Sequence, residues 1–118
     1  MSKTAHPDRT TSQHHESDLL RLVADIDAAL PRVHRYARAT PIFRLPSLDA
    51  LINGQVMLKA ECAQATGSFK IRGALNVMTQ LSGEGADHVI AFSSGNHGIG
   101  VAYACLLYTS DAADEGGS

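Results

Sequence analysis

Residues 66–74 have the sequence Thr-Gly-Ser-Phe-Lys-Ile-Arg-Gly-Ala and place Lys70 where a loop passes into a predicted helix. Ser68 is a candidate N-cap for that helix, and apolar residues then recur along one side as far as Leu81. A lysine flanked by glycines and Phe69 can be partly desolvated, which favours a neutral amine able to attack a carbonyl group. Taken alone, the segment favours a solvated lysine on a helix surface beside a packed Phe69, because most lysines are solvated.

A second polar turn, at residues 92–100, has the sequence Phe-Ser-Ser-Gly-Asn-His-Gly-Ile-Gly. It lies between a predicted buried strand at 88–92 and a predicted helix that begins near Asn96. Backbone N–H groups at such a helix N-terminus favour anions such as phosphate or carboxylate, and the side chains of Ser94 and Asn96 add donors. A turn that merely needs glycines remains an alternative for this segment.

Three rival motifs are excluded by spacing. Gly95, Gly98 and Gly100 stand in the wrong order for a dinucleotide-binding fingerprint. A nucleophile elbow at Ser94 would need glycine where Phe92 stands. The sequence also contains no phosphate-binding loop of the Gly-x-x-x-x-Gly-Lys-Ser/Thr type.

Composition indicates a globular domain or part of one, with 118 residues, 44% hydrophobic residues and 19% charged residues. The net charge of −2 argues against a nucleic-acid or anionic-membrane partner held by bulk positive charge. No apolar run is long enough for a membrane span. Two cysteines, Cys62 and Cys105, make no disulfide framework. We therefore expect a cytoplasmic protein.

The remaining pattern alternates between helices and strands. Leu19, Val23, Ile26 and Leu30 predict one face of a helix. Further predicted elements are a strand at 42–45, a short helix at 47–52, a strand at 55–61 and the strand at 88–92. Strands separated by helices favour an α/β fold with parallel strands and flanking helices.

The chain divides by composition into three parts. Residues 1–17 are polar and predict a disordered N-terminal arm. Residues 18–104 carry the α/β pattern, which a polar stretch beyond position 104 does not continue. Cys105 to Glu115 resembles the in-frame translation of a transposase-type sequencing-library adapter. We therefore expect residues 105–118 to be a non-native tail and the α/β portion to be truncated; a genuine polar tail is the alternative.

The two polar segments together resemble the serine/threonine dehydratase and serine racemase family of pyridoxal-phosphate enzymes. The resemblance extends from about Asp25 to Ala104 and includes Ala39-Thr40-Pro41 and Leu58-Lys59-Ala60-Glu61. It implies the N-terminal part of a tryptophan-synthase-β-like enzyme of fold type II, with pyridoxal 5'-phosphate as cofactor and a homo-oligomer at full length. It implies no metal site.

The resemblance also implies roles for individual residues. Lys70 is the implied covalent attachment point of the cofactor, against which Phe69 would pack, and Asn96 would hydrogen-bond its phenolic oxygen. Ser94 would transfer a proton on the face opposite Lys70. The loop implied to hold the substrate carboxylate consists of Ser93, Ser94, Gly95, Asn96 and His97.

The implied activity is the dehydration and deamination of L-serine or L-threonine to a 2-oxo acid and ammonia. Serine racemisation is the near alternative, and the family pattern leaves serine, threonine and 3-hydroxyaspartate-type substrates open. Two alternatives belong to another class. In the first alternative this polypeptide is an inactive, non-catalytic fragment of the enzyme. In the second it is a small anion-binding α/β module without covalent chemistry.

Overall fold

The computed structural model describes residues 9–115, with side chains described for residues 15–110. The elements in chain order are α1 (Arg9–His34), β1 (Ile42–Arg44), α2 (Pro46–Ile52), β2 (Met57–Lys59), a short 3-10 helix (Glu61–Ala63), α3 (Lys70–Gly83) and α4 (Asn96–Glu115). The chain divides into two compact units, residues 1–31 and residues 32–118.

The first unit contains the greater part of α1. Residues 9–17 were expected in a disordered arm, but they are helical, and no glycine or proline interrupts positions 8–30. Residues 1–8 of that arm lie outside the described residues. The helix also continues across Pro31, where the sequence indicates a stop or a new start. Its predicted apolar face, Leu19 to Leu30, is exposed.

In the second unit, β1 and β2 form a two-stranded sheet in which Phe43 pairs with Leu58. The sequence predicts both strands, but their pairing is antiparallel and not parallel. The reason is the connection, because residues 45–56 contain only the seven-residue α2 and return the chain alongside itself. Asn53 ends α2 in the left-handed conformation, with φ of 50°, as the predicted Asn-Gly stop requires.

The core of this unit lies between α3 and α4. Ile71 and Leu75 are fully buried on α3, and Ala104 is fully buried on α4. The predicted helix after the Lys70 segment is therefore confirmed, although its N-cap is Phe69 and no side chain caps it. Gly100 permits the close approach of the two helices, since a Cβ there would lie 3.3 Å from the Lys70 carbonyl.

The expected tail extends α4 and partly joins this core. Leu107 and Tyr108 pack against it, and the Tyr108 hydroxyl lies 2.6 Å from Thr79 Oγ1. The Tyr108 ring also meets Tyr36 edge to face, with 5.5 Å between centroids. The non-native origin of residues 105–118 stays a prediction, and residues 116–118 lie outside the described part.

The predicted buried strand at 88–92 does not form in the structure. Ile90 is 97% exposed and Phe92 is fully exposed. An apolar strand of this kind needs neighbouring strands for its hydrogen bonds and covering layers for both faces. The described residues supply neither, so the segment has no regular secondary structure. None of the described helices is long and apolar enough to cross a membrane.

Candidate active site

A cavity of about 490 Å³ lies against the N-terminal halves of α3 and α4. Its volume falls within the range typical of small-molecule sites. Its walls are mainly apolar, with Lys70 and His97 as the two ionisable side chains. The lining residues are Phe69, Lys70, Gly73, Ala74, Val77, Met78, Val89, Ile90, His97 and Val101.

Lys70 is the first residue of α3, and its Nζ lies 5.3 Å from the centroid of the Phe69 ring. This distance is typical of a cation–π contact. The sequence predicts a partly desolvated amine, but Lys70 is exposed in the structure. Phe69 is itself 60% exposed, so the ring shields the ammonium group on one side only.

The loop before α4 is shaped by short local contacts. Gly95 N donates to Ser93 Oγ at 3.2 Å, and Ile99 N donates to Gly95 O at 3.2 Å. A Cβ at Gly98 would lie 2.5 Å from Ser93 O, which only glycine avoids without a shift of the backbone. The turn therefore lies directly against the first turn of α4.

The structure brings together some of the predicted site residues and not others. Phe69, Lys70 and His97 line the same cavity. Ser93, Ser94, Gly95 and Asn96 do not line it, and all four are exposed at the start of α4. The structure thus places the Lys70 segment and the loop before α4 at the same end of the α3–α4 pair. Residues 93–96 of that loop face solvent.

An ion pair next to Lys70 was not predicted from the sequence. Arg72, two positions further along α3, donates from Nε to Glu61 Oε2 at 2.7 Å and from an amino nitrogen to Oε1 at 2.8 Å. This two-point geometry gives short, charge-assisted hydrogen bonds. The Arg72 guanidinium lowers the pKa of Glu61 to about 2, and the carboxylate raises the pKa of Arg72.

Buried polar side chains complete the network around Glu61. Thr40 Oγ1 donates to Glu61 Oε1 at 2.5 Å, and Gln64 Nε2 lies 3.3 Å from Oε2. The Gln64 amide also donates to Arg38 O at 2.9 Å and accepts from Arg38 N at 3.0 Å. The sequence signal that could have indicated this network is the spacing of Glu61 and Gln64. These two polar residues flank a short turn just before the loop that leads to Lys70.

The family model for pyridoxal-phosphate dependent enzymes matches residues 33–112. This match covers the cavity, the Lys70 segment and the network around Glu61. The chain belongs to the pyridoxal-phosphate-dependent enzyme family. Its cofactor is therefore pyridoxal phosphate, and its fold is part of the α/β fold of those enzymes.

Individual family members are similar over most of this chain. L-threo-3-hydroxyaspartate ammonia-lyase from Pseudomonas sp is 43% identical over 70% of the chain and 26% of its own length. A putative threonine dehydratase from Sinorhizobium fredii is 46% identical over 74% of the chain and 26% of its own length. The chain therefore spans about a quarter of the length of these curated relatives.

A solved structure shows the same fold relationship. Maize serine racemase superposes with a TM-score of 0.65 at 38% sequence identity, over 74% of this chain and 28% of that protein. The superposed part thus makes up about a quarter of the larger structure of that relative.

The residues present fit a pyridoxal-phosphate enzyme on the evidence of their own contacts. Pyridoxal phosphate presents a flat ring and an aldehyde, which need an amine beside an open, mostly apolar wall, and the Lys70 cavity provides both. The Ser68 hydroxyl, two residues before Lys70, is buried and has no hydrogen-bond partner among the described residues. A buried hydroxyl of this kind is expected to find a partner when the site is complete.

Proposed function

We propose that residues 18–104 form the N-terminal portion of an enzyme that converts L-serine or L-threonine into a 2-oxo acid and ammonia. The observation that carries the proposal is the placement of the Lys70 amine at the start of α3, in the cavity that His97 also lines. The names of two relatives, an ammonia-lyase and a putative dehydratase, support the reaction class.

Lys70 would hold the cofactor covalently and would then serve as the base. Bound pyridoxal phosphate supplies an electron sink that makes the Cα–H bond of an amino acid acidic. With the cofactor and substrate bound, the Lys70 amine would stand next to Cα and would take that proton. Phe69 keeps one side of the amine away from water, since its ring lies against Nζ.

The loop at the start of α4 binds the substrate carboxylate. Apart from Gly95 N, which donates to Ser93 Oγ, the backbone N–H groups from Ser93 to His97 stand at the positive end of a 20-residue helix, which favours an anion. The close approach of Gly98 to Ser93 O holds this turn against the first turn of α4. In this proposal the Asn96 side chain would donate a hydrogen bond to the phenolic oxygen of the cofactor.

Serine racemisation is the second candidate, and the similarity to maize serine racemase favours it. Ser94 would return a proton to the face of Cα opposite Lys70. Racemisation results when this proton arrives before the β-hydroxyl leaves, and dehydration results when it arrives later. We propose a cytoplasmic homo-oligomer for the full-length enzyme in either case.

Borohydride trapping tests the covalent assignment, because the chain has three lysines, Lys3, Lys59 and Lys70. We expect that incubation with pyridoxal 5'-phosphate, reduction and peptide mass spectrometry place the adduct mainly on Lys70. Lys70→Ala should abolish that adduct, whereas Lys59→Ala, the matched control, should retain it. An adduct mainly on Lys59 would contradict the assignment of Lys70, and no adduct on any lysine would favour an anion-binding module without covalent chemistry.

A turnover assay tests the fragment alternative. The 118-residue chain should release no 2-oxo acid from serine, threonine or 3-hydroxyaspartate, while the complete open reading frame that carries it should do so. Turnover by the 118-residue chain alone would contradict the truncation at about position 104.

A further inference from the structure

The ion pair between Arg72 and Glu61 lies next to the proposed attachment lysine, and the proposed function gives it no role. Arg72 stands in the first turn of α3, where the helix dipole disfavours a cation. Glu61 offsets this cost by binding the guanidinium at two points, 2.7 and 2.8 Å long. A bidentate pair restricts orientation as well as distance, so it fixes the direction of the first turn of α3.

Glu61 also connects that turn to two other segments. Its carboxylate accepts a hydrogen bond from Thr40 at 2.5 Å and lies 3.3 Å from the Gln64 amide. Gln64 in turn binds both backbone groups of Arg38. Thr40 and Gln64 are buried, so these contacts are shielded from competing water.

The backbone of Lys70 is therefore supported from two directions. On one side Gly100 of α4 packs against its carbonyl, and on the other side Arg72 anchors the following turn to Glu61. The side chain of Lys70 itself is exposed. Its reach into the cavity thus depends on where this turn is held.

We propose that Glu61 is a positioning residue, which acts through Arg72 to set where the Lys70 amine enters the cavity. The proposal rests on the proposed function, because it concerns the lysine that is assigned to the cofactor. Glu61 touches neither the cavity nor Lys70 through any of the contacts described above, so its effect passes through Arg72.

A purely electrostatic role for Glu61 would have the opposite sign. Glu61→Gln leaves the Arg72 cation uncompensated, and an uncompensated cation favours the neutral, reactive form of a neighbouring amine. Labelling of Lys70 would then increase. Loss of positioning decreases it, because the amine is no longer directed at the bound aldehyde.

The experiment measures how much reduced pyridoxal-phosphate adduct forms on Lys70 relative to Lys3 in the 118-residue chain, from pH 6 to pH 9. Lys3 is the reference because Lys59 Nζ lies 3.9 Å from Glu61 and would respond to its substitution. We expect Glu61→Gln and Arg72→Lys each to lower the ratio about tenfold across this range. Arg72→Lys keeps the positive charge but removes the two-point hydrogen bond to Glu61.

Two controls separate positioning from general loosening. Arg44→Lys alters a comparable pair, Arg44–Asp49 at 2.7 Å, and should leave the ratio unchanged. Leu75→Val weakens the α3–α4 core without touching the ion pair, and it too should leave the ratio unchanged at a lower urea midpoint. Thr40→Val keeps the two-point hydrogen bond between Arg72 and Glu61, so it should lower the ratio by a smaller factor. It is the variant to use if Glu61→Gln does not fold.

The outcomes distinguish this inference from the proposed function. Absence of a Lys70 adduct in the wild-type chain overturns both. A wild-type adduct on Lys70 with an unchanged or raised ratio in Glu61→Gln and Arg72→Lys overturns the inference alone. An equal fall in Leu75→Val also overturns it, because the ion pair would then act only through stability.

Discussion

The segment from Lys59 to Arg72 and the segment from Val89 to His97 both reach the same cavity, but they are held very differently. In the first, Glu61, Gln64 and Arg72 satisfy one another and the backbone of residue 38. In the second, Ile90 is 97% exposed. All partners of this polar network lie within the described residues, whereas an apolar strand needs neighbouring strands on both sides.

Truncation of a core side chain should have the largest effect on this contrast. Leu75→Ala should lower the free energy of unfolding by about 2–5 kcal/mol, because Leu75 is fully buried between α3 and α4. Ile90→Ala removes a side chain of similar size from an exposed position and should change stability by less than about 0.5 kcal/mol. Urea denaturation compares the two, and an equal loss would show that Ile90 is buried in solution.

The second-largest effect is expected from acidification, which should lower the free energy of unfolding through the ion pair of Glu61 and Arg72. The pKa of Glu61 falls from 4.5 to about 2 in the folded chain, so its contribution is complete above pH 4.5. That contribution is lost as the pH falls toward 2 and amounts to at most about 3 kcal/mol, because solvent screens a partly exposed pair. In Glu61→Gln, the urea midpoint should depend less on pH between pH 5 and pH 2 than in the wild-type chain. An equal pH dependence in both would contradict the contribution of the ion pair to stability.

A smaller effect is expected at the loop before α4. Gly98→Ala forces a Cβ to within 2.5 Å of Ser93 O, so the backbone must shift at a cost of about 1–3 kcal/mol. Gly95→Ala is the matched control, since its Cβ would meet no atom within 4 Å. Thermal unfolding of the two variants measures the difference, and equal midpoints would show that the turn is loose.

The elements with local signals were predictable from sequence. The apolar spacing after Lys70 predicts α3, and Asn53-Gly54 marks the end of α2, as the structure confirms. The family itself followed from two motifs, at residues 66–74 and 93–98, and the match over residues 33–112 confirms it. The assignments of Lys70, Ser94 and Asn96 remain predictions that the trapping and turnover experiments address.

The predictions that differed from the structure depend on long-range neighbours. Parallel pairing was inferred from the alternation of elements, but the short connection through α2 makes β1 and β2 antiparallel. The strand at 88–92 lacks partners among the described residues, and Lys70 is exposed where partial desolvation was expected. No local pattern reports whether a distant segment is present to cover a residue.

By itself, the order of residues determined the family, since the lysine motif and the polar turn are each contiguous in the chain and specific in composition. Only the tertiary structure decided that Glu61 forms an ion pair with Arg72 and that Gly100 packs against Lys70. Those contacts join residues far apart in sequence, and their energies depend on distance and on exclusion of water, which no one-dimensional pattern contains.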